Sequence, residues 1–365
     1  LLWLSSSDLA AELDLYKATG MSWVRVDFDW PSIESTKGSF NWSSTDRVVS
    51  AAHSRGLKVL ALPTYSPSWA TSVPGNSHAG PKNPADYATF VAAAVKRYAP
   101  QGVKAWEIWN EPNLSNFWGP KPDPGAYTAL LKAAYPVIKA ADATATVLAG
   151  ALSPAGDPAD GSQVSPVTFT TKMYSNGAKG FFDALSVHPY CYPAMPDDTS
   201  TASWNTFQRL PLVHDVMNTN GDGAKQIWLT EYGAPTGTDS GAVSEATQAT
   251  LLTAGITAAD AWPWTGPLFL YGRRDRGTDL GDREQNFGLV RYNFSAKPAQ
   301  AALTKALTTT TVTPTPTVTP TVTPTVTPTV TPTQTLPATV RAPSAPTSVS
   351  VSAATTSSAV VTWAT

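Results

Sequence analysis

Seven apolar runs rich in β-branched and aromatic residues punctuate the first 300 positions. They read SWVRVDF (22–28), LKVLAL (57–62), KAWEIW (104–109), ATVLAG (145–150), FDALSVH (182–188), QIWLTE (226–231) and PLFLYG (267–272). Continuous apolar runs, as opposed to alternating ones, belong to strands buried on both faces, as in parallel sheets. Stretches with helical spacing lie between them. Asn83-Pro84 opens one, with Tyr87, Val91, Ala94 and Tyr98 on one face. Asp123-Pro124 opens another carrying Tyr127, Leu130, Leu131 and Ile138, with a kink expected at Pro136. Ser43, Ser7 or Asp8, and Ser244 are expected as N-caps of three more. Repeated strand–helix order over about 300 residues predicts a (β/α)8 TIM barrel in preference to an open doubly wound sheet. No Gly-rich dinucleotide fingerprint follows any strand, which counts further against the open sheet. A helical stretch, DLAAELDLYKATG, precedes the first clear strand. The barrel's first strand is therefore expected before Leu1, or as a fragment in Leu1–Leu4.

The pattern stops near residue 307. From 308 to 340 composition collapses to Thr, Pro and Val with TVTP repeated, which predicts a stiff, extended linker without a core. Beyond it, APSAPTSVSVSAATTSSAVVTW alternates apolar and polar residues like two strands of a small sandwich. Residues 341–365 resemble the N-terminal start of a fibronectin type III domain, with Trp363 at the usual second-strand place. About 25 residues are too few for a fold that needs roughly 100. The expected domains are thus 1–307, the linker 308–340, and this truncated β-sandwich start, 341–365.

Composition narrows the partners. The 365 residues are 14% charged, carry a net charge of −2 and contain no basic run, so nucleic acid is not an expected partner. Thirteen Trp, twelve Tyr and eleven Phe suit a surface that stacks on flat, uncharged faces, although most aromatics fill cores. Cys191 is the single cysteine, so neither an internal disulfide nor a paired-Cys metal site can form. No apolar stretch reaches the roughly 18 residues of a membrane span. No leader peptide is visible, but the chain begins at Leu1 instead of Met, so that absence carries no weight. The Thr/Pro stalk fits a secreted protein, and a monomer is expected.

In a barrel of this kind the chemistry gathers at the C-terminal ends of the strands. Those ends carry Arg25 and Asp27, then Asn110-Glu111, His188 and Tyr190, Glu231-Tyr232, and Tyr271. Two carboxylates on separate strands, ringed by aromatics, are the equipment for cleaving a glycosidic bond. One donates a proton to the leaving oxygen while the other attacks or stabilises the sugar carbon. Trp30, Trp69, Trp109 and Trp118 follow strand ends, and sugar platform or core filler are equally open for them. Glu107 reads as structural, pointing into the barrel or towards a helix. Asp27 and Asp29 alternate on one strand and read as arginine partners, with a site role open for Asp27. His188 alone could equally be a satisfied core histidine.

The pair EIWNEPN (107–113) and IWLTEYG (227–233), with about 120 residues between their acidic members Glu111 and Glu231, resembles the clan A glycoside hydrolases, near families 5 and 39. The resemblance covers roughly residues 1–307. It implies a retaining mechanism with Glu111 as acid/base and Glu231 as nucleophile. It further implies that Asn110 bonds the 2-hydroxyl of the reacting sugar, that Arg25 positions the nucleophile, and that His188 and Tyr190 line the same subsite. The stretch NFGLVRYNFSAKPAQAAL matches the usual closing helix. One departure stands out. Relatives often carry a Trp at the end of the last strand, where this chain has Tyr271 followed by GRRDRGTD, with Trp264 as the candidate substitute.

The expected function is hydrolysis of β-linked polysaccharide or oligosaccharide, with no cofactor. Four histidines without HExxH or His-x-His spacing predict no metal. No G-x-S-x-G is present for a serine hydrolase. Two alternatives use the same barrel: a transglycosylase that excludes water, and a non-catalytic sugar-binding protein, which would have no need for both glutamates.

Overall fold

The computed structural model describes residues 1–309 and the backbone of Ser358–Val361. All seven expected strands form: β1 Trp23–Asp29, β2 Lys58–Thr64, β3 Ala105–Ile108, β4 Thr146–Leu152, β5 Ala184–Val187, β6 Ile227–Tyr232 and β7 Thr265–Tyr271. Each pairs in parallel with the next. An eighth strand, β8 Ser358–Val361, lies parallel between β7 and β1 and closes the barrel.

The eighth position differs from expectation. Leu1–Leu4 is a turn, closed by the Leu4 N–H on the Leu1 carbonyl at 3.3 Å. The gap between β1 and β7 would leave two rows of unpaired backbone groups, and Ser358–Val361 pairs with both. The linker 308–340 lies outside the described residues apart from its first two, and so does the sandwich-like segment 341–365 apart from β8.

The helices are α1 Ser6–Ala18, α2 Trp30–Ile33, α3 Ser43–His53, α4 Pro84–Tyr98, α5 Pro124–Ala141, α6 Pro166–Ser175, α7 Thr206–Thr219, α8 Glu245–Asp260 and α9 Pro298–Thr309. Asn83, Asp123 and Ser244 cap α4, α5 and α8 through their side chains, as the sequence predicts. Two caps fall elsewhere. Ser5, not Ser7 or Asp8, caps α1 by accepting the Asp8 N–H, and Ser43 is the first helical residue of α3, behind Trp42. Pro136 sits inside α5, which runs on through it to Ala141.

Two cores result from the alternation of strand side chains. The larger packs the outer strand faces against the helices, with Tyr87, Phe90, Val91 and Tyr98 of α4 fully buried in it. The smaller fills the barrel: Leu60, Ala105, Leu148, Ala184, Trp228 and Phe269, with Trp23 packed against them. Trp23 meets Trp228 edge-on at 5.3 Å between ring centres. This apolar plug supports the polar layer above it, where Arg25 follows Trp23 by two residues and Glu107 follows Ala105 by two. Period-2 alternation therefore sends both charges into the barrel.

Candidate active site

Arg25 is the hub of that layer, with only 1% of its surface exposed. Its Nε donates to Glu107, Nη1 to Glu231 Oε1 at 2.7 Å, and Nη2 to Asn110 Oδ1 at 3.0 Å. Burial by itself would weaken the guanidinium's hold on its proton. The carboxylates of Glu107 and Glu231 more than offset this and raise its pKa. Glu107 is fully buried, so it acts as the counter-ion of Arg25, in keeping with its structural reading.

Glu231 reaches the interior through a break in register. The β6–β7 pairing shifts between Ile227 and Leu229 and again between Leu229 and Tyr232. Leu229 and Tyr232 both pack into the outer core although three residues apart, which turns Glu231 inward. Its Oε1 takes the Arg25 bond, and Tyr190 Oη donates to Oε2 at 2.9 Å. Burial raises its pKa, opposed by His188 and Arg25.

Glu111 stands across the barrel mouth, just beyond β3. It adopts a left-handed backbone, φ 44°, and three other non-glycine residues at neighbouring strand ends do likewise: Tyr65 (67°), Trp109 (69°) and Ala151 (51°). Such conformations persist where surroundings over-determine them. Here Tyr87 of α4 donates its hydroxyl to the Pro63 carbonyl at 2.7 Å and Tyr127 of α5 to the Ile108 carbonyl at 2.9 Å. The Glu111 N–H is held by the Ala151 carbonyl at 3.1 Å.

The Glu111 carboxyl is 2.9 Å from His188 Nδ1 at Oε1, and burial pushes its pKa up to about 7 against the opposing pull of the Ser153 hydroxyl and Arg25. Burial also lowers His188 to about 4, leaving it neutral at neutral pH. His188 Nδ1 lies 3.5 Å from Glu231 Oε2 as well, so the imidazole spans both carboxyls. Its Nε2 has no hydrogen-bond partner among the described residues.

Oxygens of Glu111 and Glu231 and a ring nitrogen of His188 all lie within 4.8 Å of one another. That set could be read as a metal site, but both oxygens of Glu231 are already taken, one by a guanidinium and one by a phenol. A buried cation 2.7 Å from one would-be ligand makes the set unsuited to a second positive charge.

The carboxyls face a cleft with about 1620 Å³ of empty space. Tyr65, Phe117, Tyr190, Tyr192, Tyr271 and Phe287 supply its aromatic faces, and Asn110, Ser153, Arg276, Asp282, Glu284 and Gln285 its polar ones. Tyr190, Tyr192 and Tyr271 pack around Phe287 at 5.0–6.0 Å.

Residues 1–265 match the model of the family described as Cellulase (glycosyl hydrolase family 5). The chain belongs to glycosyl hydrolase family 5. No curated protein matches it in sequence. Among solved structures, a family 39 glycoside hydrolase from the gut symbiont Bacteroides cellulosilyticus is similar with a TM-score of 0.68 and 25% identity, over 82% of this chain and 61% of its own. A monomeric β-xylosidase from Caulobacter crescentus follows at 0.63 and 20%, over 82% and 64%. GH5_18 from Streptomyces cattleya in complex with GlcNAc gives 0.65 and 20%, over 86% and 77%. The family 5 chain spans less than two thirds of the first two structures, and its likeness to the last two is one of fold. The resemblance drawn from the two Glu-bearing motifs thus holds at the level of family and clan.

The fold of this family 5 chain gathers Arg25, Asn110, Glu111, His188, Tyr190, Glu231 and Tyr271 at one barrel mouth, as expected from their strand ends. It does not gather the tryptophans. Trp109 is fully buried, its Nε1 donating to the Phe117 carbonyl at 2.7 Å, and Trp118 packs on it edge-on. Trp30 is core, and Trp69 donates to the Glu34 carbonyl beneath the Lys37 ammonium, away from the cleft. Trp264 immediately precedes β7, at the opposite end of the barrel from the site, stacked between Trp262 and His214. It cannot replace the missing platform, and Tyr271 with Phe287 stands there instead. Among the described residues no tryptophan lines the cleft. Asp27 does not line it either, and Asp29 caps α2 by accepting the Ser32 N–H instead of pairing with arginine.

Sequence reasoning missed Tyr65, Phe117, Ser153, Tyr192, Phe287 and the polar wall from Arg276 to Gln285. Tyr65 carried a readable signal, one residue beyond the end of β2. The others sit on loops, where nothing local announces which way they turn.

Proposed function

We propose that this chain is a retaining glycoside hydrolase that cleaves β-linked oligo- or polysaccharide by double displacement. The observation that carries the reading is the carboxyl separation. One oxygen of Glu111 and one of Glu231 lie within 4.8 Å, which fits the roughly 5–5.5 Å between the carboxyl groups of retaining pairs better than the roughly 6.5–9.5 Å of inverting ones.

In this reading Glu231 is the nucleophile. Arg25 and Tyr190 hold it from both oxygens, which favours its ionised form and fixes its attack line on the anomeric carbon. Glu111, with a pKa near 7, carries its proton at mildly acid pH and delivers it to the leaving oxygen. The bond from Glu231 to the sugar forms as the glycosidic C–O bond breaks. Glu111, now a carboxylate, then takes a proton from the water that cleaves the ester. Asn110, held by Arg25, is placed for the 2-hydroxyl of the sugar. Action as a monomer belongs to this reading, and the Thr/Pro stretch fits secretion.

The test is trapping. Enzyme incubated with 2-fluoro β-glycosides of xylose, glucose and mannose should gain one sugar mass with the best-accepted glycone. Peptide mapping should place it on Glu231. Label on Glu111, or inverted product configuration by NMR on a natural substrate, would refute the assignment.

A further inference from the structure

Tyr65, His78 and Phe117 form one stack along a wall of the cleft. The His78 ring centre lies 4.1 Å from that of Tyr65, with 27° between planes, and 5.5 Å from that of Phe117, with 17°. Tyr65 and Phe117 line the cleft, and His78 is the spacer between them. His78 covers one face of Phe117. Among the described residues no ring covers the other, and the half-buried side chain is left to the cleft.

The wall is held from several directions. His78 Nδ1 donates to the Asn116 carbonyl at 2.7 Å, and its backbone N–H donates to Asn76 Oδ1 at 2.9 Å. The loops carrying His78 and Phe117 are joined by the Gly119 N–H on the His78 carbonyl at 3.2 Å. Gly80 lies against Trp118, where a Cβ would fall 2.5 Å from a ring carbon, so the two loops close only around glycine. Trp109 ties the ends of the stack together. It meets the Tyr65 ring edge-on at 5.9 Å, and its indole donates to the Phe117 carbonyl. A platform fixed in this way loses little side-chain freedom when a ligand settles on it.

Position assigns the stack to one side of the scissile bond. From Glu111 the chain makes two successive turns, the Leu114 N–H on the Glu111 carbonyl at 3.0 Å and the Phe117 N–H on the Leu114 carbonyl at 3.0 Å. Phe117 thus rides on the loop of Glu111. The rings around Phe287 are tied instead to Glu231, through the Tyr190 hydroxyl. An acid that protonates the leaving oxygen must stand beside the leaving group.

We propose that the Tyr65–His78–Phe117 stack is a leaving-group subsite, with Phe117 as the platform for the sugar on the reducing side of the bond that is cut. The proposal rests on Glu111 being the acid/base. Besides Glu111, the lining residues on this side are Tyr65, Phe117, Ser153 and Pro154, and none carries a charge. That chemistry suits a neutral pyranose that lays a C–H face on the ring. The charged lining residues Arg276, Asp282 and Glu284 belong to the loop after β7.

The experiment compares wild type, Phe117→Leu and Phe117→Tyr on two substrates of the glycone accepted in trapping: its β-fluoride, whose leaving group needs no ring, and its β-1,4-linked disaccharide. In Phe117→Leu, kcat/KM on the disaccharide should fall about tenfold, the size of one aromatic stacking contact, with the fluoride unchanged. Phe117→Tyr keeps the face and should match wild type on both. An equal fall on the two substrates, or no fall on the disaccharide, overturns the proposal. A second measurement needs neither turnover nor the Leu variant. A β-1,4-linked trisaccharide bound to Glu231→Gln protein with isotope-labelled Phe should show NOEs from its reducing-end C–H protons to a Phe ring. Those NOEs should vanish when Phe117→Tyr is added. Their absence, or their survival in the double variant, overturns the proposal even where the enzyme is a glycosidase. Wild type that cleaves neither substrate refutes the glycosidase reading, and the leaving-group assignment falls with it.

Discussion

Replacing Glu111 with Gln should make the protein more stable at pH 8 while leaving its stability at pH 4 nearly unchanged. Glu111 is 8% exposed, and burial raises its pKa from 4.5 to about 7. The folded protein therefore holds a proton that the unfolded chain has already released. Stability falls with rising pH wherever the native state binds more protons, so the wild type loses stability from about pH 4.5 to about pH 7 and levels off above. About 2.5 pH units at about 1.36 kcal/mol each gives a penalty on the order of 3 kcal/mol at pH 8. Gln cannot ionise, and its amide can still reach His188, so the variant escapes the penalty. At pH 4 both side chains are neutral and the linked difference shrinks to a few tenths of a kcal/mol. Titrations common to both proteins, such as that of His188, cancel to first order. Urea unfolding of the two proteins at pH 4 and pH 8 gives the comparison directly. A stability difference that is the same at both pH values, or a variant less stable than wild type at pH 8, would refute the reasoning.

Two further outcomes follow from the placement of other side chains. Tyr190→Phe removes the hydroxyl that favours ionised Glu231, so the acid limb of kcat/KM should move to higher pH by about one unit; an unmoved limb in the pH–rate profile would contradict the arrangement. Trp264→Ala should cost on the order of 2–3 kcal/mol in urea unfolding through loss of its half-buried stack, with KM unchanged; a raised KM would contradict its position at the far end of the barrel.

The seven strands β1 to β7, their order and the barrel end that carries the candidate site were legible because each rests on a local pattern. Apolar runs of strand length, split by capped amphipathic helices, repeat in register with the chain, and the end of a run marks a place in the fold. Arg25, Asn110, Glu111, His188, Tyr190, Glu231 and Tyr271 were found this way. Trp109 stayed open between two readings because size and hydrophobicity suit a sugar platform and a core equally well. What separates the two is what packs on the ring, and Trp109 lies against Tyr87 of α4 and Trp118.

Other features were decided only when distant segments met. Glu231 points inward because a register shift against β7 reverses the parity of β6. Glu107 has a purpose only through Arg25, 82 residues away. The Ser153 backbone is fixed at the cleft by Asn113, 40 residues earlier in the chain. Phe287 reaches the cleft from a loop with no period to read, and the strand filling the gap beside β1 comes from the far end of the chain. Periodicity is a property of neighbours in sequence, so a sequence states which residues end a strand. Bulges, clamps and ion pairs are fixed by the packing of segments far apart in the chain, and they decide where those residues aim.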